Sequence, residues 1–147
     1  MKADELQRYL HQHIPITKAM GVEVRLCRPD QVVLFAPLAP NINHRETVFG
    51  GSASTLAILS GWGLLQVALS CESIAARLVI QHNTMRYDKP IVDDFYAICR
   101  FDDTPRWSRF KTTLQRHGRA RITVTSVLEC QGGAVAGFEG QFVVLPP

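Results

Sequence analysis

The chain has 147 residues, of which 46% are apolar and 20% are charged. This length allows one domain with a complete hydrophobic core, and this balance excludes a disordered polymer. Sixteen Lys and Arg against thirteen Asp and Glu leave a net charge of +3, too small to indicate a nucleic-acid-binding protein by itself. We therefore expect a single globular domain over residues 1–147.

The four cysteines lie far apart along the chain and form no Cys-x-x-Cys pair. This spacing argues against a zinc site and against the disulfide framework of a small secreted domain. The first residues are acidic where a signal peptide would begin its apolar core. We therefore expect no metal site and a cytoplasmic protein.

The first third of the chain predicts a helix, two strands and a loop. Apolar residues recur at helical spacing over residues 3–14, and Pro15 ends that helix. Alternating apolar residues predict strands over 22–27 and 32–36. Two prolines and two asparagines make residues 37–47 a predicted loop.

Residues 48–71 contain no charged side chain and predict a long central helix that starts at Gly50-Gly51-Ser52 and ends near Leu69. The segment is long enough to span a bilayer. However, serines and four glycines interrupt it, and no aromatic belt or cationic cluster marks its ends. We therefore expect a helix buried inside a soluble fold and no membrane association.

Strand patterns dominate the second half of the chain. They cover residues 78–87, 95–101, 107–116, 119–129 and 134–145. Asp102-Asp103-Thr104-Pro105 predicts a turn, and His117-Gly118 is typical of a two-residue hairpin. The elements together predict an α+β domain in which an antiparallel sheet curls around the central helix.

The residues at the helix start resemble those of the hotdog fold of acyl-thioester enzymes. Asn43, Thr47, Gly50 and Gly51 fall in register with small hotdog thioesterases of the phenylacetate-pathway type, and Phe49 replaces their usual His. A narrower resemblance, to a thioesterase-family domain that also occurs behind an acetyltransferase domain in some bacterial proteins, covers nearly the whole chain. It rests on Asn41-Ile42-Asn43, Phe49-Gly50-Gly51-Ser52, Leu59-Ser60-Gly61-Trp62-Gly63-Leu64 and Arg86-Tyr87-Asp88-Lys89-Pro90.

The resemblance implies a hotdog domain that acts on acyl thioesters of coenzyme A or of an acyl carrier protein. It implies no cofactor beyond the coenzyme A or phosphopantetheine of the substrate itself. Hotdog sites usually form between subunits, so a homodimer or tetramer is expected, with residues 78–87 as the pairing edge. Members of the narrower family have been linked to decarboxylation of malonyl carrier protein, which extends to this chain as a hypothesis.

The candidate site lies around the helix start. The N–H groups of Gly51 and Ser52 and the amide of Asn43 are expected to hold the thioester oxygen, with Asn41 as a second polar partner. The alternatives are a tight turn capped by Ser52 and Asx-turn chemistry at the asparagines. The expected substrate-binding residues are Thr47, Phe49, Gly50, Ser60, Arg86, Tyr87, Arg109 and Arg119.

The usual hotdog carboxylates are missing from this chain. Relatives of the phenylacetate type have an Asp or Glu at the position of Ile58, and another hotdog branch has an Asp near the position of Asn43. Glu46 and Glu72 flank the helix and are possible substitutes. Decarboxylation of a malonyl thioester needs an oxyanion hole but no base, so decarboxylation and hydrolysis both remain open, as does a non-catalytic binding module.

Residues 104–128 contain six Lys and Arg and no acid. In the predicted strands, alternation puts Arg109 and Lys111 on the face opposite Phe110. Such a patch suits coenzyme A phosphates or an acidic carrier protein, and the alternative is a solvated sheet edge. We expect no nucleic acid partner, since Trp107 is the only aromatic residue placed to stack on bases.

Overall fold

The computed structural model describes residues 1–102 and 104–147, with the backbone alone at position 104. The elements in chain order are α1 (Ala3–His13), α2 (Ile16–Ala19), β1 (Glu23–Arg28), β2 (Gln31–Ala36), a 3₁₀ turn (Ala39–Asn41), α3 (Gly50–Cys71), β3 (Arg77–Tyr87), β4 (Phe95–Arg100), α4 (Thr104–His117), β5 (Ala120–Cys130) and β6 (Gly133–Leu145).

The six strands form one antiparallel sheet in the order β1-β2-β4-β5-β6-β3. The sheet curls around α3, which contacts every strand. Strand β3 follows α3 in the chain and lies at one edge of the sheet, where β6 is its partner within the described residues. This architecture confirms the prediction of an α+β hotdog fold.

Helix α3 is long and apolar enough to cross a membrane, but 61% of its most apolar window is buried inside the protein. Its small residues explain how the sheet fits around it. A Cβ placed on Gly61 would lie 3.1 Å from the side chains of Phe142 and Val124. On another side of the helix, a Cβ on Gly63 would meet Leu6 and Val32 at 3.6 Å. The predicted buried helix is therefore the core helix of the fold.

The prediction of a strand over residues 107–116 is wrong, because this segment belongs to α4. Trp107, Phe110 and Leu114 are spaced as neighbours on one helix face, and Phe110 and Leu114 are buried against the rest of the core. The predicted hairpin at His117-Gly118 is the end of this helix. Gly118 has a φ of +71° and donates its N–H to the Leu114 carbonyl at 2.8 Å, as a glycine after a helix C-terminus does.

The remaining predicted helices and strands are present, and their ends differ from the prediction by at most two residues. The predicted turn over residues 102–105 overlaps the start of α4, and residue 103 lies outside the described residues. The correction at α4 also changes the basic segment: four of its six cations, Arg106, Arg109, Lys111 and Arg116, lie on a helix instead of a strand.

Candidate active site

Helix α3 begins without a side-chain cap, because Phe49 occupies the N-cap position. The N–H groups of Ser52 and Ala53 both donate to the Phe49 carbonyl, at 3.0 and 3.1 Å. Within the described residues, the N–H groups of Gly50 and Gly51 have no acceptor. The two backbone donors at the positive end of the helix dipole are therefore those of Gly50 and Gly51. Of the predicted donors Gly51 and Ser52, only Gly51 is available, because the Ser52 N–H is bonded to Phe49.

Two aromatic side chains stand over these glycines. The Tyr87 hydroxyl donates to the Gly50 carbonyl at 3.1 Å, and its ring lies 3.6 Å from where a Gly50 Cβ would be. The Phe49 ring covers Gly51 so closely that a Cβ there would displace it. Both aromatic residues are more than half exposed. The glycines thus leave room for the rings while keeping the backbone within reach of a ligand.

The side chain of Asn43 closes the loop before the helix. Its Oδ1 accepts from the Arg45 N–H at 2.8 Å and from the Thr47 N–H at 3.2 Å. Its Nδ2 donates to Thr47 Oγ1 at 3.1 Å and to the Val48 carbonyl at 3.4 Å. These bonds are the Asx-turn alternative of the sequence analysis. In this arrangement Asn43 and Thr47 order the segment that ends at Phe49.

Asn41 is 2% exposed and joins the loop to α2. Its Nδ2 donates to the carbonyls of Met20 and Pro37, both at 2.8 Å, and its backbone carbonyl accepts from the Phe49 N–H at 2.7 Å. Both amide hydrogens are therefore occupied within the fold. Its buried Oδ1 has no hydrogen-bond partner in the described structure. Asn41 therefore positions Phe49 through its backbone carbonyl and has no amide hydrogen left for a ligand, although the residue also lines the groove at the helix start.

A groove of about 370 Å³ runs beside the helix start. Ile16, Ala19 and Met20 form its apolar wall, which the sequence analysis did not identify because only the fold brings α2 next to α3. Gly51 and Ser52 also line the groove. No acidic side chain is among the described residues that line this groove. The groove can hold an apolar group next to the backbone donors, but it offers no general base.

Glu72 lies at the other end of α3, about 33 Å from the helix start by the rise of 22 residues. Its carboxylate accepts from Lys111 Nζ at 2.9 Å and from the Trp107 indole at 3.1 Å. The Lys111 hydrogen bond and the Trp107 hydrogen bond hold the pKa of Glu72 below its ordinary value. Glu72 therefore cannot serve as a base at the helix start of the same subunit. Glu46 is exposed in the Asn43 loop.

Two expected substrate-binding residues lie away from the helix start. Ser60 is completely buried, where it donates to the Ala57 carbonyl and shares a 2.7 Å hydrogen bond with Ser126 of β5. Arg86 pairs with Asp88 at 2.8 Å on the sheet face opposite to Tyr87, since neighbouring strand residues point to opposite faces. Ser60 thus joins helix to sheet, and Arg86 faces solvent.

Arg109 and Arg119 are also distant from the helix start. Arg109 is on α4, which contacts Glu72 at the C-terminal end of α3, and Arg119 follows α4 directly. All four cysteines are free. Among residues 1–102 and 104–147, no group of three His, Cys, Asp or Glu side chains is arranged to hold a metal ion.

A curled antiparallel sheet around a core helix defines the hotdog fold. The chain matches the family described as "Putative thioesterase (yiiD_Cterm)" over residues 3–146, and it belongs to that family. The family resemblance and the hotdog fold expected from the sequence are thereby confirmed.

Solved structures agree with this assignment. The chain is 30% identical to a protein of unknown function from Chlorobaculum tepidum, with a TM-score of 0.91 over 99% of this chain and 94% of that chain. A "putative thioesterase" from Shewanella oneidensis is 28% identical, with a TM-score of 0.88 over 98% of this chain and 97% of that chain. A Haemophilus influenzae thioesterase is 11% identical, with a TM-score of 0.80 over 99% and 92% of the two chains, which shows likeness of fold alone.

Proposed function

We propose that the protein is an enzyme for acyl thioesters of coenzyme A or of an acyl carrier protein. The observation that carries this proposal is the pair of backbone donors at Gly50 and Gly51, at the start of a 22-residue core helix. Such donors stabilise negative charge that develops on a thioester carbonyl oxygen. The apolar groove beside them suits the acyl group or the arm that carries it.

Two reactions use this charge stabilisation. In hydrolysis, water adds to the thioester carbonyl and the thiol leaves, which is the reaction that the family description names. In decarboxylation of a malonyl thioester, the bond to the carboxylate breaks, carbon dioxide leaves and the electron pair moves to the carbonyl oxygen as an enolate. Water then protonates the enolate carbon to give the acetyl thioester.

The lining of the groove favours decarboxylation as the second candidate. Hydrolysis is usually assisted by a carboxylate that acts as base or nucleophile, and the described residues of the groove include none. A carboxylate there would also repel the malonyl group. A protein that binds both thioesters and converts neither is the remaining possibility.

We further propose that the active form is a homodimer joined through β3. Two such homodimers can assemble into a tetramer. Strand β3 is 11 residues long, and its outer edge has no partner within the described residues. A long unpaired edge strand exposes a row of N–H and C=O groups to other chains. Tyr87 and Val79 on this strand are exposed, at 54% and 47%. Antiparallel pairing with a second copy would satisfy the edge and cover these side chains.

A matched pair of variants tests the backbone donors. Gly50→Pro removes the N–H at the first helical position, where proline is well tolerated and where the φ of −57° and ψ of 132° of Phe49 already suit a following proline. Gly50→Ala adds a Cβ in ordinary contact with Tyr87 but keeps the N–H. We expect kcat for Gly50→Pro to fall at least about tenfold below that of Gly50→Ala. Equal values for the two variants would contradict the proposal.

Product analysis separates the three functions. The wild-type protein is incubated with malonyl and acetyl thioesters of coenzyme A and of carrier protein, and the products are identified by mass spectrometry. A free thiol indicates a hydrolase, an acetyl thioester formed from malonyl substrate indicates a decarboxylase, and binding without conversion indicates a binding module. Intact malonyl substrate would exclude decarboxylation.

A further inference from the structure

Four exposed arginines lie on α4 and among the residues that follow it, at the end of the fold that α4 covers. Arg109 and Arg116 are exposed and seven residues apart on α4, which puts both on the helix side opposite the buried Leu114. Arg119 and Arg121 follow α4 and line an open groove of about 620 Å³. We call these four arginines the cationic face.

Several other surface arginines form ion pairs, whereas these four form none within the described residues. Each of five arginines forms an ion pair with a carboxylate at 2.8–3.3 Å: Arg8, Arg25, Arg28, Arg86 and Arg100. Across the described residues, no ion pair involves a member of the cationic face. Because like charges held together repel each other, this arrangement favours a negatively charged partner.

The cationic face lies far from the candidate site of its own subunit. Lys111 of α4 is bonded to Glu72, the residue that follows α3. The 22 residues of α3 span about 33 Å, and Gly50 and Gly51 are at the opposite end. A partner that sits on the cationic face is therefore badly placed to deliver a thioester to the helix start of the same subunit.

The register of the sheet indicates which helix start lies nearer. Val143 of β6 pairs with Arg121 on one side and with Val79 on the other, so the cationic face lies beside the first residues of β3. Tyr87, the last residue of β3, contacts Gly50. When β3 pairs antiparallel with a second copy, the first residues of one β3 lie opposite the last residues of the other. The dimer thus brings the end of the sheet that carries Arg121 level with the helix start of the partner subunit, and Arg121 itself is on the outer sheet face, opposite to α3.

We propose that the cationic face of each subunit docks an acidic carrier protein that presents its thioester to the site of the other subunit. This inference rests on the proposed function and on the dimer through β3. The face extends about 10 Å along α4 between Arg109 and Arg116 and continues onto β5, which is wider than a single phosphate group. Charge complementarity of this kind speeds association and fixes the orientation of the partner.

A binding experiment tests the docking surface independently of catalysis. Titration calorimetry measures the Kd of malonyl carrier protein for the wild type, for Arg119→Glu/Arg121→Glu and for the control Arg8→Glu/Arg28→Glu, which makes the same charge change elsewhere on the surface. We expect the Kd to rise at least about tenfold for the first variant only. An unchanged Kd for that variant would overturn the proposal. So would a rise in the Kd of malonyl-coenzyme A instead of the Kd of the carrier protein.

Mixed dimers test which site the face serves. One subunit carries Arg119→Glu/Arg121→Glu and the other carries Gly50→Pro, and differently tagged chains are co-expressed and purified by both tags. In this dimer one helix start is intact and faces the intact arginines of its partner. We expect about half of the wild-type turnover of carrier substrate, because one of two symmetric sites works. The dimer with all three substitutions on one chain is expected to be nearly inactive.

The reverse pattern, with activity only when all substitutions share one chain, would show that each face serves its own subunit and would overturn the proposal. Equal activity of both mixed dimers would also overturn it, as would a monomer in solution. Failure of the proposed function looks different: the wild type then converts no thioester on any carrier, while the calorimetric comparison still tests the docking surface.

Discussion

The two ends of α3 are built for different purposes. At its C-terminal end, Glu72 is bonded to Lys111 and Trp107, and α4 buries Phe110 beneath it. At its N-terminal end, two backbone donors lack acceptors within the described structure, and exposed aromatic rings stand over glycines. One end satisfies its polar groups internally and adds to stability, whereas the other keeps them available to a ligand. A binding site needs groups that folding leaves unsatisfied.

The largest expected effect is on stability, when an aromatic ring is removed at one or the other end of α3. Phe110 is 3% exposed and Phe49 is 58% exposed. We expect Phe110→Ala to lower the free energy of unfolding by about 3 kcal/mol and Phe49→Ala by less than about 1 kcal/mol. Urea denaturation followed by circular dichroism measures both. Equal losses in the free energy of unfolding would contradict the difference between the two ends of α3.

The next effect concerns the loop before the helix. Asn43→Ala is expected to lower kcat about tenfold, because the backbone donors lose their fixed position. Asn43→Asp keeps the acceptor for the N–H groups of Arg45 and Thr47 but removes the donor hydrogens. Because the Nδ2 bonds to Thr47 and Val48 also order the loop, we expect the kcat of the Asp variant to lie between those of the Ala variant and the wild type. A wild-type kcat for the Ala variant would contradict this ordering role.

The smallest expected effect is on stability and concerns Glu72 at the C-terminal end of α3. Folding lowers the pKa of Glu72 from its ordinary value of 4.5. The interaction with Lys111 therefore stabilises the protein fully at pH values above 4.5, and this stabilisation is lost as the pH falls through the lowered pKa. Both side chains are partly exposed, so Glu72→Gln should cost less than about 1 kcal/mol near pH 7. The difference from wild type should vanish in acid. A difference that persists in acid would contradict this account.

The misassigned helix shows the limit of pattern reading. In residues 107–116, Phe110 and Leu114 fit both an alternating strand and a helix face, and the predicted strand is a helix in the structure. Pro105 near the start and Gly118 after the end are helix boundary signals that favour the other choice. The core helix was predictable, because a long uncharged segment rich in small residues fits only a buried position.

The roles of the two asparagines depended on contacts between segments. Sequence reasoning placed Asn41 and Asn43 near the helix start, and the structure does so too. Which of their hydrogens remain available was not predictable, since Asn41 bonds to the Met20 carbonyl, 21 residues away. Hydrogen-bond partners that are distant in sequence have no local pattern to reveal them.

The sequence by itself determined the core helix with its glycine start, the strands, and the lack of the usual carboxylate at Ile58. The core helix and the strands follow from local composition and periodicity, and the missing carboxylate follows from the family resemblance. Only the tertiary structure decided that Gly50 and Gly51 are the open donors, that Arg86 points away from them, and that the arginines after position 104 lie at the far end of α3. The physical reason is that availability and distance depend on how α3 and the sheet pack together, and packing joins residues that no sequence pattern relates.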